Sequence, residues 1–183
     1  MIQLLTPDQF DSMFSIMEKS FPKDEYRTYE GQKALFEEPA YRIYGQVDEK
    51  SGKLNGFLSA WEFEPVVFFE HFAINPELRN GGIGGAMLRE IVGSLKKQAC
   101  LEVELPDNEL ASRRVNFYQR NGFYLNSYSY VQPAMAEGRN PVPLKIMTTK
   151  QPVSQSEFEQ IRDLLYRRVY RVSENWAIQS GNH

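Results

Sequence analysis

Residues 77–90 read ELRNGGIGGAMLRE. Gly81, Gly82, Gly84 and Gly85 crowd into five positions, directly behind Arg79 and directly ahead of an amphipathic helical pattern. Glycine disfavours helix, so a cluster of it at a helix start points to a backbone that must be approached closely. Consecutive inward-turned N–H groups with a helix N-terminus behind them make a nest for an anion such as a pyrophosphate. Two common phosphate loops are excluded by residue type. A Walker A loop carries lysine and serine or threonine behind its last glycine, where this chain has Ala86 and Met87. A dinucleotide fingerprint begun at Gly82 would need glycine where Met87 stands, and begun at Gly81 it meets Ile83 at its third position. A plain flexible connection would be served by ordinary polar residues. The other side chains able to do chemistry are Glu62, Glu70 and His71 in a run of strand-like residues, and Tyr118 in NFYQRNGF.

The elements that must position these groups follow from periodicity. A strand at 2–5 leads to Thr6-Pro7-Asp8-Gln9, a helix start with a capping threonine and a proline at the first position. Phe10, Met13, Phe14 and Met17 form that helix's apolar face, and a second helix is predicted over 29–38. YRIYGQV, LNGFLSAWEF and VVFFEHFAI read as three successive strands separated by turn residues. Ile83, Met87, Leu88, Ile91, Val92 and Leu95 recur at helical spacing behind the glycines. CLEVEL alternates as a strand, NELASRRVNFYQRNG reads as a helix stopped at Asn121-Gly122, FYLNSYSYV alternates again, and LKIMTT makes a last strand. Ser154 and Glu157 predict a capping box for a helix carrying Phe158, Ile161, Leu164, Leu165 and Val169. The tail 178–183 is expected to fray.

Composition bounds the partners. The 183 residues, 42% hydrophobic and 25% charged, suit one globular domain. With 21 basic against 24 acidic side chains there is no field to gather nucleic acid or an anionic membrane, so a small organic partner is expected. A single cysteine, Cys100, allows no internal disulfide, and with two histidines no metal site is expected. The N-terminal stretch lacks the pattern of a signal peptide and no segment has the length of a membrane span, which points to the cytoplasm.

Arg79-Asn80-Gly81-Gly82-Ile83-Gly84, directly after the strand Glu70–Pro76, resembles the R/Q-x-x-G-x-G/A signature of the GNAT superfamily of N-acetyltransferases. Phe117-Tyr118-Gln119-Arg120-Asn121-Gly122-Phe123 resembles that family's F-Y-x-x-x-G-F, about 35 residues downstream as the intervening helix and strand require. The resemblance is tight over about residues 54–131, and the element order extends it to the whole chain. It implies an α/β fold of the acyl-CoA N-acyltransferase type: a mixed, mostly antiparallel central sheet flanked by helices, with a C-terminal helix. It also implies one domain over 1–183, with the cofactor core near 54–131 and the C-terminal strand and helix in 143–172.

What the resemblance implies for the chemistry is specific. Acetyl-CoA would be the cofactor, its pyrophosphate held by Arg79, Asn80, Gly81, Gly82, Ile83, Gly84 and Gly85, and its pantetheine arm paired with the backbone of Phe72, Ala73 and Ile74. A backbone N–H near Ile74 would meet the oxyanion. An amine with a pKa near ~10.4 is the free nucleophile in only about one molecule in 10³ at neutral pH, so a base is needed. Glu70 stands where family members often carry a glutamate for that work, directly or through water; Glu62 is the reserve, and a surface carboxylate is the plain alternative for Glu70. Strand alternation points His71 to the side opposite Glu70, as a packing histidine. Tyr118 occupies the position of the family's proton donor to the leaving thiolate.

Departures from the pattern fall on the second motif's helix. An asparagine often found seven residues before the tyrosine is replaced by Ala111, with Asn108 and Asn116 nearby, and Arg113-Arg114 read as a solvated pair. Tyr26, Tyr29, Tyr128 and Tyr130, with Asp24 and Glu25, are candidates to line an aromatic and acidic pocket for the amine of a small molecule or peptide. The expected reaction is direct transfer in a ternary complex, since Cys100 reads as a small buried thiol. The rival reading is an acetyl-CoA sensor or interaction module on the same fold. Tyr166, Tyr170 and Trp176 leave a homodimer open, on the last strand and C-terminal helix.

Overall fold

The computed structural model describes residues 1–173 and Trp176; the expectation for 178–183 lies outside the described residues. The chain forms two compact units, Met1–Leu101 and Glu102–His183.

In the first unit, strand β1 (Ile2–Leu4) is followed by a single 3-10 turn at Pro7–Gln9, and helix α1 runs over Phe10–Ser20. The turn is fastened by the Thr6 N–H, which donates to Gln9 Oε1 at 3.2 Å. Phe10, Met13, Phe14 and Met17 are buried, and α1 packs on strands β3 (Leu54–Glu62) and β4 (Val67–Ile74). The helix predicted over 29–38 is shorter. Helix α2 covers Tyr29–Lys33, capped by Thr28 Oγ1 accepting from the Gly31 N–H, and the chain then tightens into a 3-10 turn at Ala34–Glu37. Strand β2 (Tyr41–Val47) joins β1 and β3, and β1, β2, β3 and β4 pair antiparallel in that order. Strand β5 (Ala99–Glu104) begins in this unit and runs parallel to β4, with Val67 opposite Ala99 and Phe69 opposite Leu101, where that register ends. Helix α3 (Ile83–Ser94) buries Met87, Leu88 and Ile91, three of the residues whose spacing predicts it. The core gathers around Trp61, Phe57, Leu58 and Phe68.

The β3–β4 ladder carries one irregularity that decides the geometry of the site. Ser59 faces His71, but Ala60 faces Phe69, so Glu70 is an extra residue on β4. Such a bulge interrupts alternation and re-aims the side chains beside it.

In the second unit, helix α4 (Glu109–Arg120) starts at Asn108, whose Oδ1 accepts from the Ala111 N–H at 2.9 Å. It stops at Asn121 and Gly122, the glycine at φ 88°, as its sequence predicts. FYLNSYSYV, read as one strand, is two: β6 (Phe123–Leu125) and β7 (Tyr130–Gln132), both antiparallel to β8 (Val142–Thr149). Asn126 stands at the break. Its buried side chain donates to Ile146 O and Thr148 Oγ1, each at 3.1 Å, and accepts from the Val153 N–H at 3.0 Å, tying the break to β8 and to the segment ahead of the last helix. Helix α5 (Gln155–Leu165) has the predicted capping box, with Ser154 N–H donating to Glu157 Oε2 at 2.7 Å. It widens into a π turn at Tyr166–Tyr170, where the Tyr166 hydroxyl donates to Val131 O at 2.7 Å.

The element order is the mixed, mostly antiparallel α/β arrangement expected, with helices interleaved and one at the C-terminal end. Among the described residues no helix is long and apolar enough to cross a membrane.

Candidate active site

The glycine loop hangs from the end of β4. A 3-10 turn at Pro76–Leu78, held by Asn75 Oδ1 accepting from the Glu77 N–H, delivers the chain to Arg79. The Arg79 guanidinium turns back: Nε donates to Ile74 O at 3.2 Å and Nη2 to Ser20 Oγ at 3.0 Å. It therefore braces the loop against the ends of β4 and α1. Asn80 and Gly82 lie at φ 69° and 76°, and Gly82 caps α3. A Cβ at Gly82 would meet no atom within 4 Å, so internal packing does not ask for glycine there; the left-handed backbone does. The first helical bond runs from the Ala86 N–H to Gly82 O at 3.1 Å. Ahead of it, the N–H groups of Gly82, Ile83, Gly84 and Gly85 have no acceptor among the described residues, and Gly81 and Gly82 are exposed. This set of free donors at a helix N-terminus, with open space over Gly82, fits a pyrophosphate.

The bulge on β4 gathers three side chains. Arg27 Nη1 donates to Glu70 Oε1 at 2.7 Å, with the Glu70 side chain 1% exposed and that of Arg27 11% exposed. Glu70 is thus a buried, paired carboxylate, and the surface alternative does not hold. Glu62, the reserve candidate, is exposed and accepts from the Tyr44 hydroxyl at 2.7 Å. Alternation fails for His71. Because Glu70 is the extra residue, His71 is not turned away from it: Nδ1 lies 3.7 Å from Glu70 Oε2. His71 Nε2 lies 2.7 Å from Glu25 O, and a carbonyl only accepts, so Nε2 carries the proton. Burial pushes the imidazole pKa down, partly opposed by the Glu70 charge, which favours the neutral ring.

The surroundings are aromatic and closely packed. Phe21 meets the imidazole edge-on at 5.1 Å, and the Arg27 guanidinium lies 6.0 Å from the Trp61 ring. The Tyr41 hydroxyl accepts from Gln32 Nε2 at 2.7 Å, and burial, followed by the Glu70 charge, drives its pKa up. Arg27 was not legible in the sequence, since a lone arginine in a polar segment reads as solvated.

Tyr118 belongs to the second unit. It is buried on α4 with its ring against Phe117 and Phe123, at 5.3 and 5.7 Å. Its hydroxyl makes no hydrogen bond among the described residues, and burial lifts its pKa to about 12 against a lowering pull from Arg114. Arg114 is paired with Glu104 at 2.6 Å, whereas Arg113 is exposed.

The four tyrosines proposed for the amine lie in different settings. Tyr26 is buried edge-on to Phe14; Tyr29 is exposed, donates to Asp11 Oδ1 at 2.5 Å and packs edge-on to Phe10 and Phe14. Tyr128 stacks on Phe158 at 4.8 Å and donates to Val153 O at 3.2 Å. Tyr130 is buried and donates to Glu102 Oε1, whose carboxylate also accepts from the Tyr170 hydroxyl at 2.7 Å. Glu102 is not legible as a hub in the sequence, since CLEVEL reads simply as an alternating strand.

Compared with known proteins, the chain matches the model of the Acetyltransferase (GNAT) family over residues 8–123. No curated protein matches it. Among solved structures, it is similar to one assigned to the GNAT acetyltransferases from Bacteroides thetaiotaomicron, with 34% identity, a TM-score of 0.87, and coverage of 94% of this chain and 99% of that one. It shares its fold with a spermidine N-acetyltransferase from Vibrio cholerae (16% identity, TM-score 0.62, 81% and 94% covered). It shares it also with an aminoglycoside 6'-N-acetyltransferase complexed with coenzyme A (16%, 0.60, 85% and 99%). The chain belongs to the GNAT family of acetyltransferases, enzymes whose acetyl donor is acetyl-CoA.

Proposed function

We propose that this protein transfers the acetyl group of acetyl-CoA to a primary amine of a small molecule or peptide, by direct attack within a ternary complex. The observation that carries this reading is the buried carboxylate of Glu70, displaced by a bulge on β4 one residue past the end of the β4–β5 register. The backbone of Phe72, Ala73 and Ile74 follows at once, so a strand-like pantetheine arm paired there would bring its thioester to the carboxylate. The free N–H groups of Gly82 to Gly85 hold the pyrophosphate, with Arg79, Asn80 and Gly81 shaping the approach.

Acetyl-CoA supplies an activated acyl thioester; the residues do the rest. Glu70 takes the proton of the amine, through Oε2 because Arg27 occupies Oε1, directly or by way of a water. A backbone N–H near Ile74 stabilises the oxyanion. Tyr118, whose pKa of about 12 keeps its proton in place at neutral pH, protonates the departing thiolate. Tyr26, Tyr29, Tyr128 and Tyr130 remain the residues proposed to select the amine. The named acceptors of the fold's neighbours, spermidine and an aminoglycoside, are cationic amines. The same class suits the acidic and aromatic segment 21–29 here.

The test is a thermal-shift titration with acetyl-CoA, coenzyme A, ATP and NAD, followed by thiol release against polyamines, amino acids, aminoglycosides and peptide N-termini. Stabilisation by acetyl-CoA with release dependent on one amine class is expected. Stabilisation without amine-dependent release would replace the enzyme reading with a sensor.

A further inference from the structure

We propose that His71 is the positioning partner of Glu70, so that the proton Glu70 removes from the acceptor amine is held between Glu70 Oε2 and His71 Nδ1. The proposal rests on the reading of Glu70 as the base.

The geometry begins with the bulge. In an unbroken strand residues 70 and 71 would face opposite sides of the sheet; the extra residue at Glu70 sets Oε2 and Nδ1 3.7 Å apart. Both atoms are buried and neither has a hydrogen-bond partner among the described residues. A carboxylate oxygen accepts, and Nδ1 of a ring whose Nε2–H is given to Glu25 O also accepts. Two buried acceptors facing each other are an unsatisfied arrangement, and what completes it is one proton. The rest of the site leaves that place for it. Oε1 is engaged by the Arg27 guanidinium, which disfavours protonation there, and the His71 backbone N–H is engaged by Ser59 Oγ at 3.1 Å.

The step balances simply. The amine N–H bond breaks and its electron pair stays on the nitrogen that attacks the thioester; the proton forms an O–H bond at Oε2, which donates to Nδ1. A buried carboxyl O–H without that acceptor would be poorly placed to form. The charged groups acting on the imidazole are Glu70 from its own strand and Arg27 from the segment between α1 and α2, in opposite directions. Ser59 from β3, Glu25 O and the Phe21 ring complete its surroundings.

Histidine occurs only at positions 71 and 183, so 15N-histidine NMR in a His183→Asn background observes His71 alone. The expected result is a neutral ring at pH 7 protonated at Nε2, titrating below the ordinary value near ~6.5, with Glu70→Gln moving that titration lower still. Kinetics supply the second arm. His71→Leu removes the acceptor and should lower kcat by about tenfold or more, leaving the KM for acetyl-CoA unchanged. His71→Asn, which keeps an acceptor oxygen near the place of Nδ1, should recover part of it. An Nδ1–H ring, His71→Leu with wild-type kcat, or His71→Asn no faster than His71→Leu would overturn the proposal. Full turnover by Glu70→Gln would instead remove the base reading beneath it. If the leucine variant does not fold, the tautomer measurement decides.

Discussion

Gly82→Val separates what the glycine loop does for the fold from what it does for a ligand. Gly82 lies at φ 76°, and a Cβ built there meets nothing within 4 Å. The cost to the fold is therefore backbone strain alone, about 1–2 kcal/mol for a residue with a side chain in the left-handed region. For a chain of this size about 2–4 °C of melting temperature accompanies each kcal/mol, so the apo variant should melt roughly 2–8 °C lower and remain folded. Binding responds on another scale. Acetyl-CoA at a hundred times its Kd stabilises a native protein by about 2.7 kcal/mol, so the wild type should gain roughly 5–11 °C. If phosphates approach the open face over Gly82, the branched side chain fills it and that gain should vanish. The assay is a pair of melts with and without acetyl-CoA, checked by calorimetry. A variant that loses its few degrees yet keeps wild-type affinity would refute the phosphate reading of the loop, for the left-handed turn would then be all that Gly82 supplies.

Three further substitutions address the chemistry. Glu70→Gln should lower turnover most at neutral pH and recover partly as pH rises towards the amine pKa near ~10.4 and free amine accumulates; a constant ratio to wild type across pH would reject Glu70 as base. Tyr118→Phe should lower kcat by about tenfold with unchanged KM, a modest loss because a thiol of pKa near ~8.5 is already a fair leaving group; full activity would end the donor role. Arg27→Met leaves a carboxylate with 1% side-chain exposure without its cation, a loss of about 3–5 kcal/mol; joining it to Glu70→Met should restore most of the melting temperature, and a single variant as stable as wild type would show the pair to be inert.

What the sequence made legible is local. The capping box at Ser154 and Glu157, the stop of α4 at Gly122 and the apolar faces of α1 and α3 depend on a few consecutive residues, and each is found where the pattern puts it. What was not legible depends on partners distant in the chain. FYLNSYSYV has the alternation of one strand, but β6 ends at Leu125 and the Asn126 side chain bonds to Ile146, Thr148 and Val153. The bond from the Tyr130 hydroxyl to Glu102, 28 positions earlier, is equally invisible in either segment read alone.

The bulge is the same lesson applied to the site. Nothing in VVFFEHFAI shows a one-residue excess, because the excess is defined only against β3, where Ser59 keeps its place opposite His71 and Ala60 slips to Phe69. That slip converts a carboxylate and an imidazole that alternation would hold on opposite faces into neighbours, and it does so where the β4–β5 register has just ended. Arg27, arriving from 43 residues away, then neutralises one carboxylate oxygen and leaves the other facing the ring. A strand continued without the bulge would hold Glu70 and His71 on opposite faces, and could not set two proton acceptors against each other. The chemistry of this site is carried by a register shift as much as by the identity of any side chain.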